Sequence, residues 1–230
     1  MANRDMEQVL QFLRELRVNN DRDWFEANKP RYKEVQAYVN DFAAQLINGI
    51  ASFDPSVRGL EVRDVTYRIY RDTRFTNDKR PYKNHIGIYV CPGGKKSCNA
   101  GYYFHIEPDG ADYMGGNVVV SGLYMPESAV LKSIREEIAD NGAEFLATVK
   151  KAKGFNLGTA NKLKRIPVGY KAGHEMEEYL KLKDVYLEKF VGEGYLLDPD
   201  LLENVVADFK STYAFSALLN KCVEYAREEM

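Results

Sequence analysis

The sequence predicts an α+β fold: a single domain over residues 1–230, with an antiparallel sheet of about four or more strands flanked by N-terminal and C-terminal helices. Three observations carry this expectation. Apolar residues recur at helical spacing at both ends of the chain, and β-branched and aromatic residues alternate in the middle. The strand-like segments also follow one another through short loops, which suits antiparallel pairing better than crossover connections. The expected division is helices over 5–52, sheet over 62–123 and helices over 126–230.

The first helix is predicted from Asp5 to Arg17, because Met6, Val9, Leu10, Leu13 and Leu16 share one face. Asn19, Asn20 and Asp21 interrupt it, and Asp21 suits the cap of a short helix carrying Trp24 and Phe25. Pro30 fits the start of a longer helix whose stripe runs Tyr32, Val35, Val39, Phe42, Leu46 and Ile50. That helix ends near Asp54 and Pro55. Residues 62–70, VRDVTYRIY, read as a strand, as do 85–90, 101–107 and 113–123. Pro92, Gly93 and Gly94 mark the loop between the second and third of these, and Gly115 and Gly116 mark a bulge or close approach in the fourth. After Pro126 a stripe of Val130, Leu131, Ile134 and Ile138 ends at Asn141 and Gly142. A shorter helix holds Phe145, Leu146 and Val149. The last helix is predicted from Asp198 and Pro199, with Leu202, Val205, Val206, Phe209, Tyr213, Leu219 and Val223 on its apolar face.

Composition excludes several classes. The 230 residues carry 32 Lys+Arg against 34 Asp+Glu, for a net charge of −2, which argues against a wholly basic nucleic-acid coat protein. With 45% hydrophobic and 12% aromatic residues the chain has enough apolar surface to order itself. Arg4, Asp5 and Glu7 interrupt any signal-peptide core. The longest apolar runs fall far short of the roughly 18 residues of a membrane span. A soluble, cytoplasmic protein without membrane contact is expected. Cys91, Cys98 and Cys222 are too few for a disulfide scaffold. Reduced thiols are the simpler expectation, and a disulfide between Cys91 and Cys98 is the alternative.

The near-neutral total hides two basic segments. Between 63 and 83, Arg63, Arg68, Arg71, Arg74, Lys79, Arg80 and Lys83 oppose only Asp64, Asp72 and Asp78. Between 150 and 171, seven basic residues oppose no acid, and that stretch reads as a solvated surface. The arginine segment is the more informative, because planar guanidinium forks bind phosphate or carboxylate in bidentate fashion. Pairing 85–90 with 101–107 so that their apolar faces match sets Ile86 near Phe104 and Ile88 near Tyr102. His85 then lies beside His105, and Gly87 beside Tyr103. The polar face carries His85, Tyr89, Tyr103, His105 and Glu107, overhung by the 71–83 loop.

This constellation predicts a site for a small anionic ligand, phosphorylated or carboxylated, with Arg68, Arg71, Asp72, Arg74, Lys79, Lys83 and Tyr103 as ligand-binding candidates. His85, His105 and Glu107 are the catalytic candidates. Phosphoester hydrolysis by His85 and His105 as acid and base is a second reading. It lacks the His-x-Thr or His-x-Ser pattern, since the strands read His85-Ile-Gly and His105-Ile-Glu. A protein- or nucleic-acid-interaction role using both basic segments is a third, with nucleic acid not favoured. His105 and Glu107 could share a metal only in an incomplete ligand set, so no metal and no cofactor are predicted. The chain has no P-loop, no G-x-G-x-x-G, no G-x-S-x-G and no H-E-x-x-H. Nothing in the sequence sets the oligomeric state.

The run RIYRDTRFTNDKRPYKNHIG at 68–87 resembles the signature of the uncharacterised family called domain of unknown function 2461. WFEANKPRY at 24–32, YYFHIEP at 102–108, Ile134-Arg135, PVGY at 167–170 and LKLKD at 180–184 support the resemblance, which spans nearly the whole chain. It implies one complete domain. It supplies no activity and no catalytic residues to carry over, so it bears on where a site lies and not on its chemistry.

Overall fold

The computed structural model describes residues 3–111 and 113–229. Three helices open the chain: α1 (Arg4–Val18), α2 (Arg22–Ala27) and α3 (Lys29–Ala51). Each begins where local chemistry permits. The Asn3 side chain accepts from the Met6 amide, Asp21 accepts from the Trp24 amide, and Pro30 sits in the first turn of α3. The α1 stripe of Met6, Val9, Leu10, Leu13 and Leu16 is wholly buried, as its spacing predicts.

The sheet is fully antiparallel. Its strands are β1 (Ile86–Val90), β2 (Gly101–Ile106), β3 (Asn117–Leu123), β4 (Asn156–Leu157) and β5 (Val185–Val191), in the order β1-β2-β3-β5-β4. Helices α5 (Ser128–Asp140), α6 (Gly142–Lys151) and α9 (Leu201–Glu228) follow, with short helices α7 (Glu177–Leu180) and α8 (Glu193–Leu196) between them. The inner face of the sheet turns Ile88, Tyr102, Phe104, Val119 and Leu187 into a core shared with α3 and α9, all fully buried. Polar atoms on that face are matched. Tyr102 donates to Asp54 at 2.9 Å, and Ser121 meets Thr212 of α9 at 2.6 Å. The α+β architecture with terminal helices is therefore as expected.

Several local expectations are corrected. Residues 62–70 are not a strand. Val62–Val65 make one helical turn, α4, closed by the Asp64 carboxylate accepting from the Glu61 amide at 2.9 Å and by Thr66 donating to the Val62 carbonyl at 2.8 Å. Thr66 makes an isolated bridge to Ile88 at the edge of β1. The β1–β2 register is two residues from the expected one, with Gly87 opposite His105 and Ile88 opposite Phe104. A two-residue shift keeps every side chain on its face, so matching apolar faces leaves it undetermined. Gly101 sits where the loop returns: a Cβ there would meet the Cβ of Cys91 at 2.3 Å. The fourth expected strand begins at Asn117, and Tyr113–Gly116 lie outside it. The segment expected to be all helical, 126–230, contributes β4 and β5, and β5 is the central partner of β3. The last helix begins at Leu201 and not at Asp198. Cys91, Cys98 and Cys222 are free thiols. No helix among the described residues is long and apolar enough to cross a membrane.

Candidate functional site

The outer face of the sheet is covered at its β1 edge by a long hairpin. Its stem pairs Tyr70 with Tyr82, with the Arg71 amide on the Pro81 carbonyl at 2.9 Å and the Lys83 amide on the Ile69 carbonyl at 2.8 Å. The N-terminal helices hold this stem. Asn20 exchanges two hydrogen bonds with the Tyr82 backbone, both 3.0 Å, and the Tyr82 ring stacks on Phe25 at 3.9 Å. Two separated motifs, WFEANKPRY and RIYRDTRFTNDKRPYKNHIG, thus meet at the Phe25 ring, which also lies 6.1 Å from Tyr70. Between this hairpin, α3 and the outer sheet face lies a cleft of about 1130 Å³.

Within the hairpin loop most charge is settled internally. Asp78 takes Arg71 at 2.6 Å and Arg80 at 2.7 Å, and Asp72 takes Arg74 at 2.6 Å. Hydrogen bonds from Arg74 lower the Asp72 carboxyl to about 2, and those from Arg80 and Arg71 hold Asp78 well below the carboxylate range. Arg71 and Asp72 line the cleft, whereas Arg74 and Lys79 lie on the exposed tip beside Phe75, outside its lining. Lys79 donates to the Thr73 carbonyl at 3.0 Å.

Arg68 and Lys83 differ. Both line the cleft, and neither forms an ion pair with a described carboxylate. Burial, and then the neighbouring Arg68 charge, lowers the Lys83 ammonium below the usual lysine range. Lys83 lies 5.5 Å from the centroid of the Tyr67 ring and Lys95 lies 5.7 Å from it. Lys95 also donates to the Arg63 carbonyl. One phenol thus carries two ammonium groups, with a guanidinium beside them.

The floor below holds a hydrogen-bonded chain. Glu107 and His105 are fully buried, and His105 Nε2 lies 3.1 Å from Glu107 Oε2. A carboxylate only accepts, so Nε2 carries the proton. Nδ1 of the neutral ring then accepts from the Tyr103 hydroxyl at 2.9 Å. Burial lowers the imidazole pKa, and the bond to Glu107 opposes that shift. Burial raises the Tyr103 phenol well above the tyrosine range, with Tyr113 and Tyr67 adding to it. Glu107 also accepts from the Tyr113 and Met114 amides, both at 2.9 Å, and so anchors these two residues. His85 lines the cleft, its ring 5.0 Å from His105 and stacked on Tyr113 at 4.1 Å. The two histidines share a face, but both nitrogens of His105 are engaged and the ring is sealed. Tyr103 is the member of the chain that reaches the cleft.

Backbone strain gathers at the same place. Two non-glycine residues among those described have left-handed φ, Cys98 at 57° and Met125 at 51°, and both line the cleft. Such conformations cost of order 1–3 kcal/mol and persist where the surroundings enforce them. Met125 is held by its amide donating to buried Asp184 at 2.7 Å, and Asn161 donates to the other Asp184 oxygen at 2.8 Å. The result is a corner at which Tyr124 and Met125 are each 73% exposed, next to Tyr186 of β5.

Of the sequence-derived candidates, Arg68, Arg71, Asp72, Lys83, Tyr103 and His85 come together on the cleft. His105 and Glu107 lie beneath it. Tyr67, Lys95, Tyr124, Met125 and Tyr186 also line it and escaped the sequence reading. Tyr67 lay in view beside Arg68, and Lys95 follows the loop glycines Gly93 and Gly94, whereas Tyr186 carries no signal without the β3–β5 pairing. No residue of the second basic segment, 150–171, lines the cleft. Among the described residues no three His, Cys, Asp or Glu side chains cluster as metal ligands would.

Comparison with known proteins gives one family. A family profile described as "Conserved hypothetical protein (DUF2461)" matches residues 8–217. No curated protein and no solved structure matches the chain.

Proposed function

We propose, for a chain that belongs to the conserved hypothetical protein family DUF2461, that the outer-face cleft binds a small phosphorylated or carboxylated ligand. One observation carries this reading. Arg68 and Lys83 stand side by side in the cleft without a described carboxylate partner, at a site that penalises the lysine charge. A fold that keeps two cations together at a cleft with no ion pair to either, the Asp72 charge reaching Arg68 only at longer range, is stabilised when an anion neutralises them. The contrast with the neighbouring arginines supports the reading, since Asp72 and Asp78 satisfy Arg74, Arg71 and Arg80. Left-handed backbone at Cys98 and Met125 supports a functional cleft independently.

The test is a thermal-shift series with inorganic phosphate, phosphorylated metabolites and dicarboxylates, on wild type and the Arg68→Ala/Lys83→Ala double variant. A ligand at a hundredfold excess over its Kd stabilises by about 2.7 kcal/mol, which raises Tm by roughly 5–10 °C in a chain this size. The double variant is expected to lose that rise. Identical responses to every ligand overturn the reading. Phosphoesterase turnover abolished by Tyr103→Phe with ligand affinity retained would extend the reading to catalysis.

A further inference from the structure

Resting on the anion-binding reading, we propose that the ligand is a phosphate ester bearing a flat aromatic ring. Its phosphate meets Arg68 and Lys83, and its ring sits at the Tyr124–Tyr186 corner. The cleft is chemically two-ended. At the β1 edge its cations surround Tyr67, and Asp64 is the acidic group that acts on Lys95. Two neighbouring cations without a described carboxylate partner match a phosphate dianion better than a single carboxylate.

The opposite end is apolar and aromatic. Val120, Leu123, Tyr124, Met125, Pro126 and Tyr186 line it. Tyr124 and Tyr186 meet edge to face, with centroids 6.5 Å apart and planes at 66°. That leaves the outward ring surface of Tyr124 open for stacking. The Met125 thioether beside it suits contact with a ring edge. Two aromatic and apolar side chains exposed on a corner held in left-handed backbone by a buried carboxylate are a poor arrangement for solubility. They make sense if a ring covers them.

The spacing fits. β1, β2, β3 and β5 are consecutive neighbours, so the backbone at the β1 edge and at the β3–β5 corner lies about three strand spacings apart, roughly 15 Å, a gap that the long Arg68 and Lys83 side chains lining the cleft shorten. A phosphate joined to a ring through a sugar or a short linker bridges that distance. Tyr89 paves the floor between, its hydroxyl donating to the Asn99 carbonyl at 2.7 Å.

Isothermal titration calorimetry tests this with inorganic phosphate, ribose 5-phosphate, octyl phosphate, adenosine, adenosine 5′-monophosphate and flavin mononucleotide. At least one ring-bearing phosphate is expected to bind tenfold or more tighter than ribose 5-phosphate and octyl phosphate, and adenosine to bind far more weakly. Tyr124→Ala/Tyr186→Ala is expected to remove that advantage, a loss of about tenfold to a hundredfold, while Tyr124→Phe/Tyr186→Phe retains it. Arg68→Ala/Lys83→Ala abolishes binding of every phosphate. If the double alanine variant at the corner fails to fold by circular dichroism, Tyr124→Ala alone, at an exposed position, carries the test. Equal affinity for ribose 5-phosphate and the ring-bearing phosphates overturns the proposal while leaving the anion site intact, as does an unchanged affinity in the tyrosine variants. Absence of any anion binding overturns both.

Discussion

The two faces of this sheet obey different rules. On the inner face Tyr102, Phe104 and Leu187 are fully buried, and each polar atom named there has a partner across the core. The outer face holds phenols, imidazoles and cations, with glycine at 87 opposite His105. It also adjoins both non-glycine left-handed residues among those described. A single alternating strand contributes to both faces, so the difference between Phe104 and its neighbours Tyr103 and His105 is a matter of parity alone. Residues kept for stability remove apolar surface from water. The outer-face residues hold costs that packing would eliminate, and such costs persist where a site needs them.

The sharpest separation of the faces comes from Phe104→Ala. Phe104 is fully buried and packs against Phe42 at 5.7 Å. Its truncation is expected to destabilise by about 3–5 kcal/mol in urea denaturation. Below the lowered Tm, ligand affinity should stay within a few-fold of wild type. A large affinity loss in folded protein would mean that the faces are coupled.

Glu107→Ala should come next, at about 3 kcal/mol, because it strips the acceptor from the Tyr113 and Met114 amides and from His105 Nε2. This variant should weaken ligand binding as well as stability, since Tyr113, Met114 and the Tyr103 hydroxyl lose their support. A stability loss with unaltered binding would assign Glu107 to the inner-face class. Gly87→Ala should cost less, about 1–3 kcal/mol, for a specific reason. The added Cβ would lie 2.6 Å from the Tyr103 hydroxyl and 2.7 Å from its ring. Tyr103 must then swing away from His105, and the His105 ring resonances in an NMR spectrum should shift. Unchanged resonances would show that the Tyr103–His105 bond is not set by Gly87.

Parity was legible in the sequence and register was not. Alternation in 85–90 and 101–107 put His85, Gly87 and Tyr89 with Tyr103, His105 and Glu107, and the structure keeps that grouping although the pairing slides by two. The arginine run pointed to the hairpin, but charge counting treats Arg74 and Lys83 alike. Only the fold separates an arginine neutralised two residues away from a lysine facing Arg68. The strand misread at 62–70 failed because Asp64 and Thr66 close a helical turn through short-range bonds that alternation does not register. Tyr124 and Tyr186 stayed hidden because β5 pairs with β3 from 60 residues away, and no local pattern announces a contact of that range.

The smallest predicted effect runs against expectation for the loss of a charged cleft-lining side chain. Lys83→Met should raise Tm at pH 7, by on the order of 1 °C. Burial and Arg68 lower the folded-state pKa of Lys83, so between that value and the unfolded value near 10.4 the unfolded chain binds more protons. Stability of the wild type therefore rises with pH across that window. Below it the ammonium is charged in both states and its penalty is fully present. Above it the penalty vanishes. The Tm gap between Lys83→Met and wild type should be widest near neutrality and should close as the pH approaches 10. Saturating phosphate ligand should close it at pH 7 as well, by stabilising only the wild type. A variant less stable than wild type at pH 7 without ligand would place Lys83 with the inner-face residues, as a group kept for the fold and not for an anion.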